Sequence, residues 1–183
     1  MLIGIAGTLG AGKGTVVEYL KTRGFVHYSV REFLWQEVDR RGLERVRDNL
    51  SVVANDLRSK YGPGYIIEEI YKQAVAQDGN IIIESLHTPG EATFLRDRGA
   101  YILGVDADIE TRYKRIKLRG TETDHLSFAK FKEDNEREIA STDPSKHNIL
   151  KVIGMADYVL TNNGTLEELH VQIDEFLQQH TLV

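Results

Sequence analysis

The chain has 183 residues, enough for one domain with a full core, and its make-up of 41% apolar and 28% charged residues is ordinary for a soluble globular protein. It contains no cysteine, which excludes disulfides, thiolate zinc sites and cysteine nucleophiles, and its net charge of -5 argues against a nucleic-acid scaffold, so no DNA partner is expected. No apolar run is long enough to span a bilayer and no basic segment precedes a signal-peptide core, so no membrane partner is expected and the cytoplasm is the expected location.

Leu2–Ala6 reads as a buried strand and Val16–Lys21 as a helix. Between them runs Gly7-Thr8-Leu9-Gly10-Ala11-Gly12-Lys13-Gly14-Thr15. Strand, glycine-rich turn, lysine, hydroxyl and helix form the setting of a phosphate-binding P-loop. Glycine allows positive φ and a close backbone approach to phosphate. Successive N–H groups then share one anion-binding hollow, helped by the positive end of the following helix. Leu9, Gly10, Ala11, Gly12, Lys13, Gly14 and Thr15 are therefore the expected phosphate-binding loop. Lys13 supplies a mobile charge for the β- and γ-phosphates, and Thr15 supplies a hard oxygen for Mg²⁺.

Downstream, strand-like and helix-like segments alternate, with no repeat, low-complexity tract or linker. Gly24–Ser29 reads as the second strand, Arg31–Arg41 and Asp48–Lys60 as charged helices. Tyr61–Gly64 breaks the chain, and Pro63 is expected near the start of a helix running to about Gln77. Asn80–Glu84 is a third strand. Thr88-Pro89-Gly90-Glu91 has the spacing of a capping box, with proline at the first helical position, opening a helix to about Arg98. Tyr101–Val105 is a fourth strand, and Asp108 is expected to cap the helix carrying Arg112, Arg115 and Arg119. Gly120–Leu126 is loop-like, Ser127–Ile139 helical and Asp157–Thr161 the fifth strand. Asn162-Asn163-Gly164 turns into a last helix, capped by Thr165 and Glu168. The expected fold is a three-layer α/β/α P-loop NTPase with a parallel five-stranded sheet.

Several side chains stand where chemistry is expected. Ligands of open α/β sheets bind beyond the carboxyl ends of strands, and Glu84 ends the third strand. A carboxylate there can hold Mg²⁺ through water or receive a proton from the acceptor. Arg112, Arg115 and Arg119 recur at i, i+3 and i+7 and share a helix face. His27, His125, His147, His170 and His180 show no metal-ligand spacing and read as surface or packing residues.

The chain resembles the P-loop nucleoside monophosphate kinases, above all the adenylate-kinase-related nucleotide kinases, and also dephospho-coenzyme A kinase. The residues that carry this are Gly10–Thr15, Leu57–Gly62, Ile82–Ser85, Arg112–Arg115 and Met155–Asn162, in order along nearly the whole chain. The first motif is specific; the others gain weight from their order. The resemblance implies ATP as donor, Mg²⁺, and a small phosphorylated acceptor, foremost a (deoxy)nucleoside monophosphate. It also implies an acceptor-binding segment at about 30–78 and a lid at about 119–140. Arg115 and Arg119 then belong to the ATP site and the transferred phosphoryl group, while Arg112 can instead serve the fold.

Asn162 lies where similar kinases pass the adenine ring. Arg31, Glu32, Arg58, Glu84 and His87 are the acceptor candidates, with Arg58 matching the family's Leu-Arg pattern before Tyr-Gly. The match has gaps. Glu84-Ser85 replaces Asp-Gly, Trp35 stands where a phosphate-clamping arginine is expected, and His87 stands where relatives place arginine. Two other readings stay open. One is a dephospho-coenzyme A kinase-like activity. The other is an ATP-dependent switch or assembly factor without a small acceptor, the only reading that calls for a macromolecular partner.

Overall fold

In the computed structural model the described residues are 1–120, 127–139 and 148–181. Ile81, Ile82 and Ile83 show how the sheet is built. Successive strand residues face opposite sides, so an unbroken apolar run needs cover on both. Ile81 and Ile83 pack into one core cluster and Ile82 into the other.

Five parallel strands form the sheet: β1 (Leu2–Gly7), β2 (Phe25–Ser29), β3 (Asn80–Leu86), β4 (Tyr101–Asp106) and β5 (Tyr158–Thr161). Their order is β2-β3-β1-β4-β5. One face is covered by α1 (Lys13–Thr22) and α9 (Leu166–Thr181), through Val16, Val17, Leu20, Leu169, Ile173 and Phe176. The other is covered by α2 (Val30–Arg40), α3 (Arg47–Tyr61), α4 (Tyr65–Ala74), α5 (Pro89–Arg96) and α8 (Ile149–Gly154). The helices α6 (Ile109–Arg119) and α7 (Phe128–Ile139) pack on each other. This is the expected three-layer α/β/α arrangement.

Local signals account for most boundaries. Thr88 accepts from the Glu91 amide while Glu91 Oε2 accepts from the Thr88 amide, so the capping box opens α5 as its spacing predicts. Thr165 and Glu168 form the same reciprocal pair before α9. One expectation needs correction. Asp108 makes no side-chain cap bond; instead its amide donates to Asn163 Oδ1 at 2.8 Å, beyond the carboxyl ends of the paired strands β4 and β5. Pro63 lies two residues before α4, near its start as expected. The short helix α8 has no counterpart in the sequence reading, because six residues are too few to show a helical period. In α4, Ile66, Ile67 and Ile70 are almost fully buried, and truncating any of them to alanine would cost about 2–5 kcal/mol.

One irregularity shapes the site. Ile5 pairs with Glu84 but Ala6 pairs with Leu86, so Ser85 is an extra residue in β3. Ser85 has φ 77°, in the left-handed region that glycine occupies without strain. The bulge falls at the carboxyl end of the sheet, immediately after Glu84.

Candidate functional site at the carboxyl end of the sheet

The loop from Gly7 to Gly12 connects β1 to α1. Gly10 and Gly12 have φ +82° and +101°, and a Cβ on Gly10 would lie 2.7 Å from the Arg112 carbonyl oxygen. On Gly12 it would collide with the Asn162 amide nitrogen. Glycine is thus required at both places by backbone angle and by neighbours. No side chain caps the N-terminus of α1, which leaves the first-turn amides to meet an anion. Lys13 Nζ donates to the Gly7 and Thr8 carbonyls at 2.9 and 3.2 Å, which holds the ammonium over the loop. Thr15 and Gly14 are exposed on the first turn, and Leu9 and Ala11 complete the loop wall. Thr8 Oγ1 donates to Asp106 Oδ1 at 2.8 Å, fastening the loop to the end of β4.

Glu84 faces this loop from β3, the strand beside β1. Burial pushes its carboxyl up, but a hydrogen bond with His27 and the Lys13 charge outweigh burial and hold it below the usual carboxylate range. The carboxylate is therefore anionic near neutrality. His27 Nε2 lies 3.1 Å from Glu84 Oε2, and Ser85 Oγ donates to Oε1 at 3.3 Å. His27 reads as a packing residue in sequence; its link to Glu84 arises from strand register.

The three arginines of α6 part company despite their shared spacing. Arg112 is buried, with Nε donating to the Ala107 carbonyl at 2.9 Å. Its Nη1 donates to the Leu9 carbonyl at 3.3 Å and to Asn135 Oδ1 at 2.7 Å, so it struts the P-loop. Burial lowers its pKa despite Asp106 and Glu110 nearby. Arg115 donates to the Asn162 carbonyl at 2.8 Å and to its Oδ1 at 3.2 Å. Asn162 Nδ2 in turn donates to the Ala11 carbonyl at 2.8 Å. Arg115, Asn162 and the loop thus form one chain of contacts. Arg119 is exposed at the end of α6. Of the expected lid, residues 121–126 and 140 lie outside the described residues.

The acceptor candidates split into two groups. Arg31 and Glu32, in the first turn of α2, line an open cavity of about 460 Å³ with His27, Ser29 and Trp35. Arg58 is elsewhere and differently placed: its side chain is 2% exposed and its Nη2 lies 2.9 Å from Glu91 Oε1, itself fully buried. Arg58 is thus held in a buried ion pair, and of its three side-chain nitrogens Nη1 has no hydrogen-bond partner among the described residues. The His87 amide donates to Glu91 Oε2 at 2.7 Å and its carbonyl accepts from the Asn148 amide at 2.9 Å. Arg58, Glu91 and His87 therefore form one buried junction between α3 and α5. The sequence reading gave Asp106 no place at the site, saw Glu91 only as the capping-box residue of α5 and His27 only as a surface or packing residue; their links to Thr8, Arg58 and Glu84 appear in the structure.

A glycine-shaped loop at a helix N-terminus, a lysine over it and a carboxylate on the adjacent strand end, set in a three-layer α/β/α frame, give the chain the fold of the P-loop NTPases. The family described as AAA domain matches residues 3–141, and the chain belongs to it. The UPF0200 protein PH1008 of Pyrococcus horikoshii is 25% identical over 187 residues, covering 98% of this chain and 97% of that protein. The crystal structure of TT1252 from Thermus thermophilus has a TM-score of 0.67 at 18% identity, covering 98% of this chain and 97% of that one. A dephospho-CoA kinase from Campylobacter jejuni has a TM-score of 0.56 at 14% identity over 97% and 96% of the two chains. These two likenesses are likenesses of fold.

Proposed function

We propose that the protein is an ATP-dependent phosphotransferase that moves the γ-phosphoryl group of Mg-ATP to a small phosphorylated acceptor, foremost a (deoxy)nucleoside monophosphate. The observation that carries this is the Lys13 ammonium, at the start of α1, acting on the Glu84 carboxylate at the end of β3. It places a fixed positive charge over an anion hollow and a fixed negative charge on its rim. The loop amides and Lys13 hold the β- and γ-phosphates, where charge grows in the transition state. An acceptor oxygen attacks the γ-phosphorus, the bond to the β-bridging oxygen breaks, and ADP leaves with that oxygen. Any proton on the attacking oxygen passes to the Glu84 carboxylate.

The donor set also suits Mg²⁺, which prefers oxygen and keeps several waters. Thr15 offers an exposed hydroxyl, and Glu84 offers an anionic carboxylate to a metal-bound water. When bound, Mg²⁺ neutralises charge on the β- and γ-oxygens. Arg115, already tied to the loop through Asn162, and Arg119 one turn further are the arginines for the donor side. Arg31, Glu32 and His87 are proposed for the acceptor, with Arg58 contributing only through Nη1. No helix among the described residues is long and apolar enough to cross a membrane.

The test is a coupled ADP-release assay with Mg-ATP against all ribo- and deoxynucleoside monophosphates and dephospho-coenzyme A. Strong stimulation by one monophosphate, abolished in Lys13→Ala, is the expected result. Equal turnover in Lys13→Ala refutes the reading. A panel with no stimulation transfers the weight to an ATPase answering to a macromolecule.

A further inference from the structure

His27 sits on the edge strand β2 opposite Ile82, and Ser29 sits opposite Glu84. The His27 ring therefore reaches diagonally, two residues along β3, to meet the Glu84 carboxylate. Diagonal neighbours on one sheet face are within reach of side chains of this length. The contact is 3.1 Å, and the two side chains are 24% and 17% exposed. An ionised carboxylate only accepts hydrogen bonds, so Nε2 carries the proton and donates, which selects one tautomer of the neutral ring. Ser85 grips the other carboxylate oxygen from the bulge. Each oxygen has two acceptor positions, so one remains on each after both contacts are made.

We propose, resting on the phosphotransferase reading above, that His27 is a positioning residue which pins Oε2 of Glu84 and so aims the remaining lone pairs at the space above the P-loop. A glutamate has three side-chain torsions, and one held by a single contact would sample several orientations. Two contacts from two different elements, β2 and the β3 bulge, remove that freedom before any ligand arrives. Ligands of metal-binding groups are commonly oriented by such partners, whose loss costs roughly 10–100-fold in affinity or activity. His27 also lines the cavity that holds Arg31 and Glu32, but the role assigned here runs through its contact with Glu84. It acts through Glu84, and this separates it from an ordinary cross-strand pair that contributes only to folding.

The test is a double-mutant cycle with His27→Leu, Glu84→Gln and both together, plus His27→Gln, whose amide can still donate. Initial rates are measured with Mg-ATP and the acceptor found in the panel, alongside thermal unfolding. His27→Leu is expected to lower kcat about 10–100-fold with KM for ATP little changed. The double variant should be no slower than Glu84→Gln alone, and His27→Gln should recover activity to within a few-fold. Multiplying effects, an unchanged kcat in His27→Leu, or no recovery in His27→Gln would overturn the proposal. If the wild-type protein transfers phosphate to nothing in the panel, the phosphotransferase reading fails on its own. The same cycle is then read by calorimetry as the Mg²⁺ dependence of ATP binding. Coupling between the two sites there upholds the positioning role, and independent effects overturn it.

Discussion

Arg58→Met removes the positive half of an ion pair that the structure buries almost completely. The guanidinium is 2% exposed and the Glu91 carboxylate 0% exposed, so neither charge can turn to water when its partner is lost. Arg58 makes two bonds to Oε1, at 3.2 Å from Nε and 2.9 Å from Nη2. Oε2 is engaged separately by the amides of His87 and Thr88. Those amides would remain after the substitution, but the countercharge would not. Two unit charges about 4 Å apart attract by about 4 kcal/mol at an effective dielectric of about 20. Loss of one partner from a buried pair costs about 3–5 kcal/mol in measured cases, which agrees. For a chain of this size about 4 kcal/mol corresponds to a fall in Tm of roughly 8–16 °C. Circular dichroism melts of wild type, Arg58→Met and Arg58→Met with Glu91→Gln provide the assay. The double variant should regain much of the loss, since an amide can accept and donate at that junction without a stranded charge. A single variant that melts within about 3 °C of wild type, under about 1 kcal/mol, would refute the argument.

Three further outcomes follow from the same geometry. Gly12→Ala combines a left-handed backbone angle with a collision at Asn162, and should cost about 1–2 kcal/mol in stability from the angle alone. It should also weaken ATP binding measured by calorimetry, because Asn162 holds both Ala11 and Arg115. Ser85→Gly should raise Tm slightly, by a net of about 0.5–1 kcal/mol, since relief of positive φ exceeds the added freedom of the unfolded chain; a lower Tm would show that the Ser85 hydroxyl on Glu84 matters more than the angle. The Glu37 carboxyl is lowered from 4.5 to about 2, first by hydrogen bonding from Arg40, then against burial by Arg41. A lowered folded pKa stabilises fully above the unfolded value and fades as pH falls toward the folded one, so wild-type Tm should drop between about pH 5 and pH 2 more steeply than that of Glu37→Gln. Parallel pH curves for the two proteins would contradict this.

Arg112, Arg115 and Arg119 mark the boundary of what local reading achieves. Their spacing places them on one helical face, but one struts the P-loop from inside, one is bound to Asn162, and one is exposed. The face is a property of the helix; the fate of each residue depends on which strand end or loop lies opposite it. Arg58 teaches the same lesson. It stands between a buried leucine, Leu57, and an exposed Ser59, and nothing near it announces a carboxylate 33 positions away. The Asn135 contact of Arg112 comes from the docking of α7 on α6, and α8 packs against the strands β1 and β4.

By itself the sequence determined the P-loop, the alternation of strand and helix, the capping boxes at Thr88 and Thr165, and Glu84 as a strand-ending carboxylate. These rest on short-range causes: glycine's access to positive φ, the apolar period, and side chains that bond to amides three residues on. Only the tertiary structure decided the pairing of His27 with Glu84, the burial of Arg58 against Glu91, the bulge at Ser85 and the clasp of Asn162 on the loop. Each depends on the register of parallel strands whose partners lie 55 or more residues apart along the chain, or on helices docked over a shared core. Such distances carry no periodic trace, because the order of strands in a sheet is chosen by the burial of both faces and not by any neighbouring residue.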